Sequence, residues 1–116
     1  MGRKPLKTNP MKLQVTFANN FQSSSFHDTI VTTTPSKLIA LAEHIGADYD
    51  VHNTGDDKTN FDFDFQTTDG IYFTVYDWKE YRTLSPDEYI DFHIGGKSKS
   101  DTDTSALALI DALSHF

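Results

Sequence analysis

The sequence predicts an α+β domain, one antiparallel sheet with two helices packed on one face, and three observations predict it. Phe61, Phe63 and Phe65, then Ile71, Phe73 and Val75, alternate with polar residues, the period of strands buried on one side. Thr34-Pro35 opens a run with Leu38, Leu41, Ala42 and Ile45 on one helical face, and Gly46 closes it. The chain has 116 residues, and a second independent core would need about 50 more than it could spare. The expected order is β-β-α-β-β-β-α in a single domain over residues 13–116, preceded by an arm at 1–12.

The arm holds Arg3, Lys4, Lys7 and Lys12 and no acid, so it reads as a solvated, flexible, basic segment. A signal peptide would need an apolar stretch where Thr8-Asn9-Pro10 stands, so a cytoplasmic setting is expected. Residues 12–17 alternate with Leu13, Val15 and Phe17 inward, a half-buried strand. Residues 26–33 are rich in β-branched side chains and read as the return arm of a hairpin with it. Thr34 then caps the first helix, and Pro35 takes its first position, where the missing N–H costs nothing. Residues 47–58 read as a polar connection.

The hairpin at 61–66 and 71–78 has its register fixed by turn chemistry. A three-residue Thr68-Asp69-Gly70 loop, with Gly70 left-handed, pairs Phe65 with Phe73 and Phe63 with Val75. A one-residue slip would bury aspartates at about 2 kcal/mol or more each. A third strand covers residues 89–94, with Ile90, Phe92 and Ile94 inward, and Gly95-Gly96 ends it. Residues 97–100 read as loop. Asp101 or Asp103 is expected to cap a last helix with Ala106, Leu107, Ile110 and Leu113 as its apolar stripe.

Composition excludes several function classes. There is no Cys, which removes disulfide scaffolds, thiolate metal sites and cysteine nucleophiles. Net charge is −7, and residues 13–116 alone carry −11, a poor cradle for nucleic acid phosphates. No apolar run approaches the length that spans a membrane. Gly95-Gly96-Lys97-Ser98 fails as a triphosphate loop because Asp91 stands where the first glycine is required, although its N–H groups and Lys97 suit a small anion. Asp77-Trp78-Lys79 matches part of a PD-(D/E)xK nuclease hairpin, with Asp62 or Asp64 as the second metal ligand. The register, however, sends Asp77 and Lys79 away from Asp62 and Asp64. The five histidines show no metal-ligand spacing. No catalytic residue, metal or cofactor is therefore expected.

What remains is the second sheet face, with Asp62, Asp64, Tyr76, Trp78, Asp91 and His93, joined at one end by Gly95, Gly96 and Lys97. Tyr and Trp anchor interfaces because they offer large area and a polar tip at low entropic cost. The plain alternative is that another part of the chain covers this face.

The runs Gly70-Ile71-Tyr72-Phe73-Thr74-Val75-Tyr76-Asp77-Trp78-Lys79-Glu80-Tyr81 and Asp91-Phe92-His93-Ile94-Gly95-Gly96-Lys97-Ser98 resemble small uncharacterised bacteriophage accessory proteins with a YDWK…HIGG pattern, over residues 34–112. The resemblance implies a phage accessory protein in a host cytoplasm, by analogy an inhibitor of host defence, and assigns no activity to any residue. The expected partner is a basic host protein, of a defence or nucleic-acid-binding kind. A sponge for a small nucleotide, a metal-dependent nuclease and a homodimer stand as alternatives.

Overall fold

The computed structural model describes residues 13–14 and 26–116. In chain order its elements are β1 (Leu13–Gln14), β2 (Phe26–Thr33), α1 (Pro35–Ile45), β3 (Tyr49–Val51), β4 (Phe61–Thr67), β5 (Tyr72–Tyr76), β6 (Ile90–Gly96) and α2 (Lys99–Leu113). The basic arm at 1–12 and most of the first expected strand lie outside the described residues. The strands form one antiparallel sheet in the order β1-β4-β5-β6-β2, with β3 sharing the outer edge of β4.

The central hairpin has the expected register. Phe65 pairs with Phe73, Phe63 with Val75 and Asp62 with Tyr76. Gly70 is left-handed at φ 90°, its N–H donates to the Thr67 carbonyl at 2.9 Å, and the Thr67 N–H donates to that of Ile71 at 2.9 Å. Alternation then places Phe61, Phe63, Phe65, Phe73, Val75, Ile90, Phe92 and Ile94 on one face, all buried. The rings of Phe61, Phe63 and Phe65 stack along β4 with centroids 6.5 and 6.1 Å apart. Helix α1 covers this face with Leu38, Leu41 and Ala42, capped by the Thr34 hydroxyl and ended by left-handed Gly46 as expected.

Three expectations need correction. β2 is not the return arm of a hairpin with β1; it pairs with β6 at the opposite edge of the sheet, Thr33 with Ile90 and Val31 with Phe92. The pairing gives the seven-residue β6 a neighbour on each side and lays the β-branched run of β2 along it. The connection at 47–58 holds a strand, β3, in which Tyr49 pairs with Phe63 and stacks on its ring at 5.6 Å. Three residues are too few to show a period.

The third correction concerns α2. Its cap is Ser98, whose hydroxyl accepts from the Asp101 N–H at 3.1 Å, not Asp101 or Asp103. Gly95 and Gly96 stay within β6, and Gly96 lets the helix close in: a Cβ there would lie 2.8 Å from Thr102 Cγ2. That approach turns Thr102, Ser105, Ala106, Leu109, Ala112 and Leu113 toward the sheet. Leu107 and Ile110, expected in the stripe, face solvent at 71% and 52% exposure. Next to Gly96 the inner face is small, with Thr102, Ser105 and Ala106, because the axis lies too close there for large side chains; Leu109 and Leu113 come farther along the helix. Among the described residues no helix is long and apolar enough to cross a membrane.

Candidate functional site

The face away from the helices carries the polar half of each alternation. Its middle row runs across four strands as Asp62, Tyr76, His93 and Ile30, each paired with the next. Cross-strand neighbours lie about 5 Å apart, which places these side chains side by side. The Tyr76 ring stacks on His93 at 5.9 Å with 19° between planes, and meets Trp78 edge-on at 6.0 Å. Its hydroxyl hydrogen-bonds His27 Nδ1. His93 Nδ1 lies 2.7 Å from the His27 carbonyl oxygen. A carbonyl can only accept, so His93 Nδ1 carries the proton and, in the neutral ring, Nε2 is left as an acceptor.

His27 and Asp28 reach this face through an irregularity in β2, where the register with β6 shifts between Phe26 and Thr29. A bulge re-aims the side chains it carries. With Thr59 and Asp62 from the other side, they wall a groove of about 480 Å³ over Tyr76 and His93, lined also by Trp78. The volume falls within the roughly 300–1,000 Å³ typical of small-ligand sites.

A buried polar knot holds Trp78 in place. Asp77, fully buried, accepts from the backbone N–H groups of Asn60 and Phe61 at 2.8 Å each and from Asn60 Nδ2 at 3.0 Å. Asn60 Nδ2 also donates to the Arg82 carbonyl, and Asn60 Oδ1 accepts from the Gly55 N–H. Beyond Asp77 the chain turns through left-handed Lys79 at φ 57° and Tyr81 at φ 53°. The Lys79 N–H bonds the Lys58 carbonyl at 2.7 Å, and both ammonium groups stand over the Trp78 ring, at 5.3 and 5.7 Å from its centre. Trp78 keeps 39% of its surface exposed.

Carboxylates dominate the electrostatics. Burial, first, raises Asp62 above its ordinary value, against the hydrogen bond from Thr59 Oγ1; the Asp77 and Asp50 charges raise it further and His52 lowers it. Asp64 is pushed up to about 6, chiefly by burial and then by Asp48, Asp62 and Asp50, with which it borders a second hollow of about 240 Å³. Among the described residues the salt bridges join Arg82 to Glu80 and Glu88, and Lys99 to Asp103; none reaches Asp28, Asp62 or Asp64.

Of the residues expected here, Asp62, Tyr76, Trp78 and His93 come together in the groove. Asp64 lies on the same face beside it, in the acidic hollow. Asp91 is exposed but turned to the β2 edge, where its carboxylate accepts from Thr32 Oγ1 at 2.6 Å. Gly95 and Gly96 are buried strand residues, and Lys97 is exposed beyond them. The nuclease constellation does not assemble, since Asp77 is spent on Asn60 and Phe61 while Lys79 lies against Trp78. Among the described residues no group of three His, Asp or Glu side chains is arranged to hold a metal ion. Sequence reasoning missed His27, Asp28 and Thr59; a bulge and a loop position them, and neither leaves a periodic signal. No protein-family model matches the chain, and comparison with curated proteins and with solved structures finds no match.

Proposed function

We propose that the protein is a non-enzymatic binding protein whose outer sheet face docks on a basic protein surface. Following the pattern it shares with bacteriophage accessory proteins, the partner is a host factor, of the defence or nucleic-acid-binding kind, met in the host cytoplasm. One observation carries this reading: Asp28 and Asp62 wall an aromatic groove, and no Lys or Arg among the described residues pairs with either. Carboxylates with no Lys or Arg partner, beside Tyr and Trp, fit a cationic partner that supplies charge while the rings supply area. A small nucleotide would find rings for its base, but the two carboxylates repel its phosphates, so the sponge is the weaker reading.

Affinity capture from host lysate at low and high salt, with wild type and Trp78→Ala side by side, tests the proposal. A basic protein retained at low salt by the wild type, and lost from a Trp78→Ala protein that still folds, is the expected result. With the purified partner, Trp78→Ala should cost at least about 2 kcal/mol of binding. Capture that ignores both salt and Trp78 would sink it.

A further inference from the structure

The groove's chemistry points to a narrower ligand than a basic surface in general. We infer that it is a pocket for one arginine side chain of the partner, the guanidinium stacking in the Tyr76–His93–Trp78 ring cluster and forking onto Asp28 and Asp62. The inference rests on the docking reading above and specifies what enters the site.

Its two charged groups are both acceptors. Asp28 and Asp62 accept only, Thr59 Oγ1 already spends its proton on Asp62, and His93 directs its Nδ1 proton to the His27 carbonyl, leaving Nε2 with a lone pair. A guanidinium presents five N–H donors and no acceptor, which matches that set; a nucleobase brings acceptors of its own, and a phosphate brings nothing else. The rings select between the two basic side chains. The near-parallel Tyr76 and His93 rings, with Trp78 edge-on, give a flat cation a face to lie against while its edge reaches the carboxylates. Arginine is planar and forked and does both at once, whereas a lysine ammonium is a compact, strongly hydrated point charge. Lys58 and Lys79 show that cations already settle over the Trp78 ring, yet neither lines the groove. The space holds a whole side chain instead of a single charge. Raised Asp62 agrees with a carboxylate that waits for a counter-ion.

The test is a titration of the full chain, followed through the Trp78 indole N–H and backbone amides by NMR, with three probes. These are a capped Gly-Arg-Gly peptide, the capped Gly-Lys-Gly peptide and adenosine monophosphate. The arginyl peptide should shift the Trp78 and Tyr76 signals and bind about tenfold more tightly than the lysyl peptide. Asp62→Asn and Asp28→Asn should each weaken it by about tenfold. Tyr76→Leu should abolish the preference for arginine while the amide spectrum stays dispersed. Equal binding of the two peptides would overturn the pocket and leave docking by a generic acidic face intact. Silence from both peptides, with Trp78-dependent capture of a partner preserved, would also overturn the pocket alone. Tighter binding of the nucleotide would overturn both readings.

Discussion

At the end of β5 a carboxylate with no exposure to water accepts three hydrogen bonds, and two of them come from backbone N–H groups that open β4. Asp77→Ala would leave those donors buried and unpaired, at about 1–3 kcal/mol each. We expect the variant to lose at least about 3 kcal/mol of unfolding free energy in urea; a loss under about 1 kcal/mol would refute the knot. Asp64 behaves in the opposite sense. Its folded-state pKa, about 6, lies above the ordinary value of 3.8, so the folded protein holds its proton more tightly than the unfolded chain. Ionisation therefore opposes folding, fully above the folded pKa and not at all below the unfolded one. Asp64→Asn should stabilise the protein at pH 7 by about 1 kcal/mol, well under the full linkage value because the carboxylate is partly open to solvent. That gain should vanish at about pH 4. Melting temperatures of both proteins across this range check the sign.

Between elements, α2 comes close to the end of β6 at Gly96. A methyl group on Gly96 would press on Thr102 Cγ2, so Gly96→Ala should cost about 1–3 kcal/mol by overpacking. Thr102→Ser removes that methyl and keeps the hydroxyl that bonds Thr29 and the Lys99 carbonyl. In the double variant the two losses should fall short of their sum, and a denaturant double-mutant cycle measures the shortfall. Simple additivity would refute the contact. The same contact shows what a sequence can reveal of this fold. Helix α1 and the β4–β5 hairpin were readable because their signals are local: a cap, a left-handed glycine, an alternation and a turn. The inner face of α2 was not, because a glycine in a distant strand decides which side of the helix fits. The groove divides likewise. Tyr76, His93 and Asp62 follow from strand parity, whereas His27 and Asp28 depend on a register shift in β2.

Over the whole molecule the helices and the face that carries the groove lie on opposite sides of one sheet, so residues of that face can change with little effect on the packed side. Charge acts at this scale as well. With a net −7 over the chain, the field extends beyond any one carboxylate, and the proposed docking requires that it draw a basic partner in before contact. We expect association in stopped-flow to slow by about tenfold or more from low to high salt, with dissociation changing much less. An association rate indifferent to salt would count against electrostatic docking. The strand order also bears on how the chain is made. Phe26 pairs with Gly96 and Thr33 with Ile90, so β2 leaves the ribosome well before β6, the strand it pairs with among the described residues. The β4–β5 hairpin can close as soon as its turn emerges, but β2 must wait for β6, and until then its β-branched run is open to association with other chains.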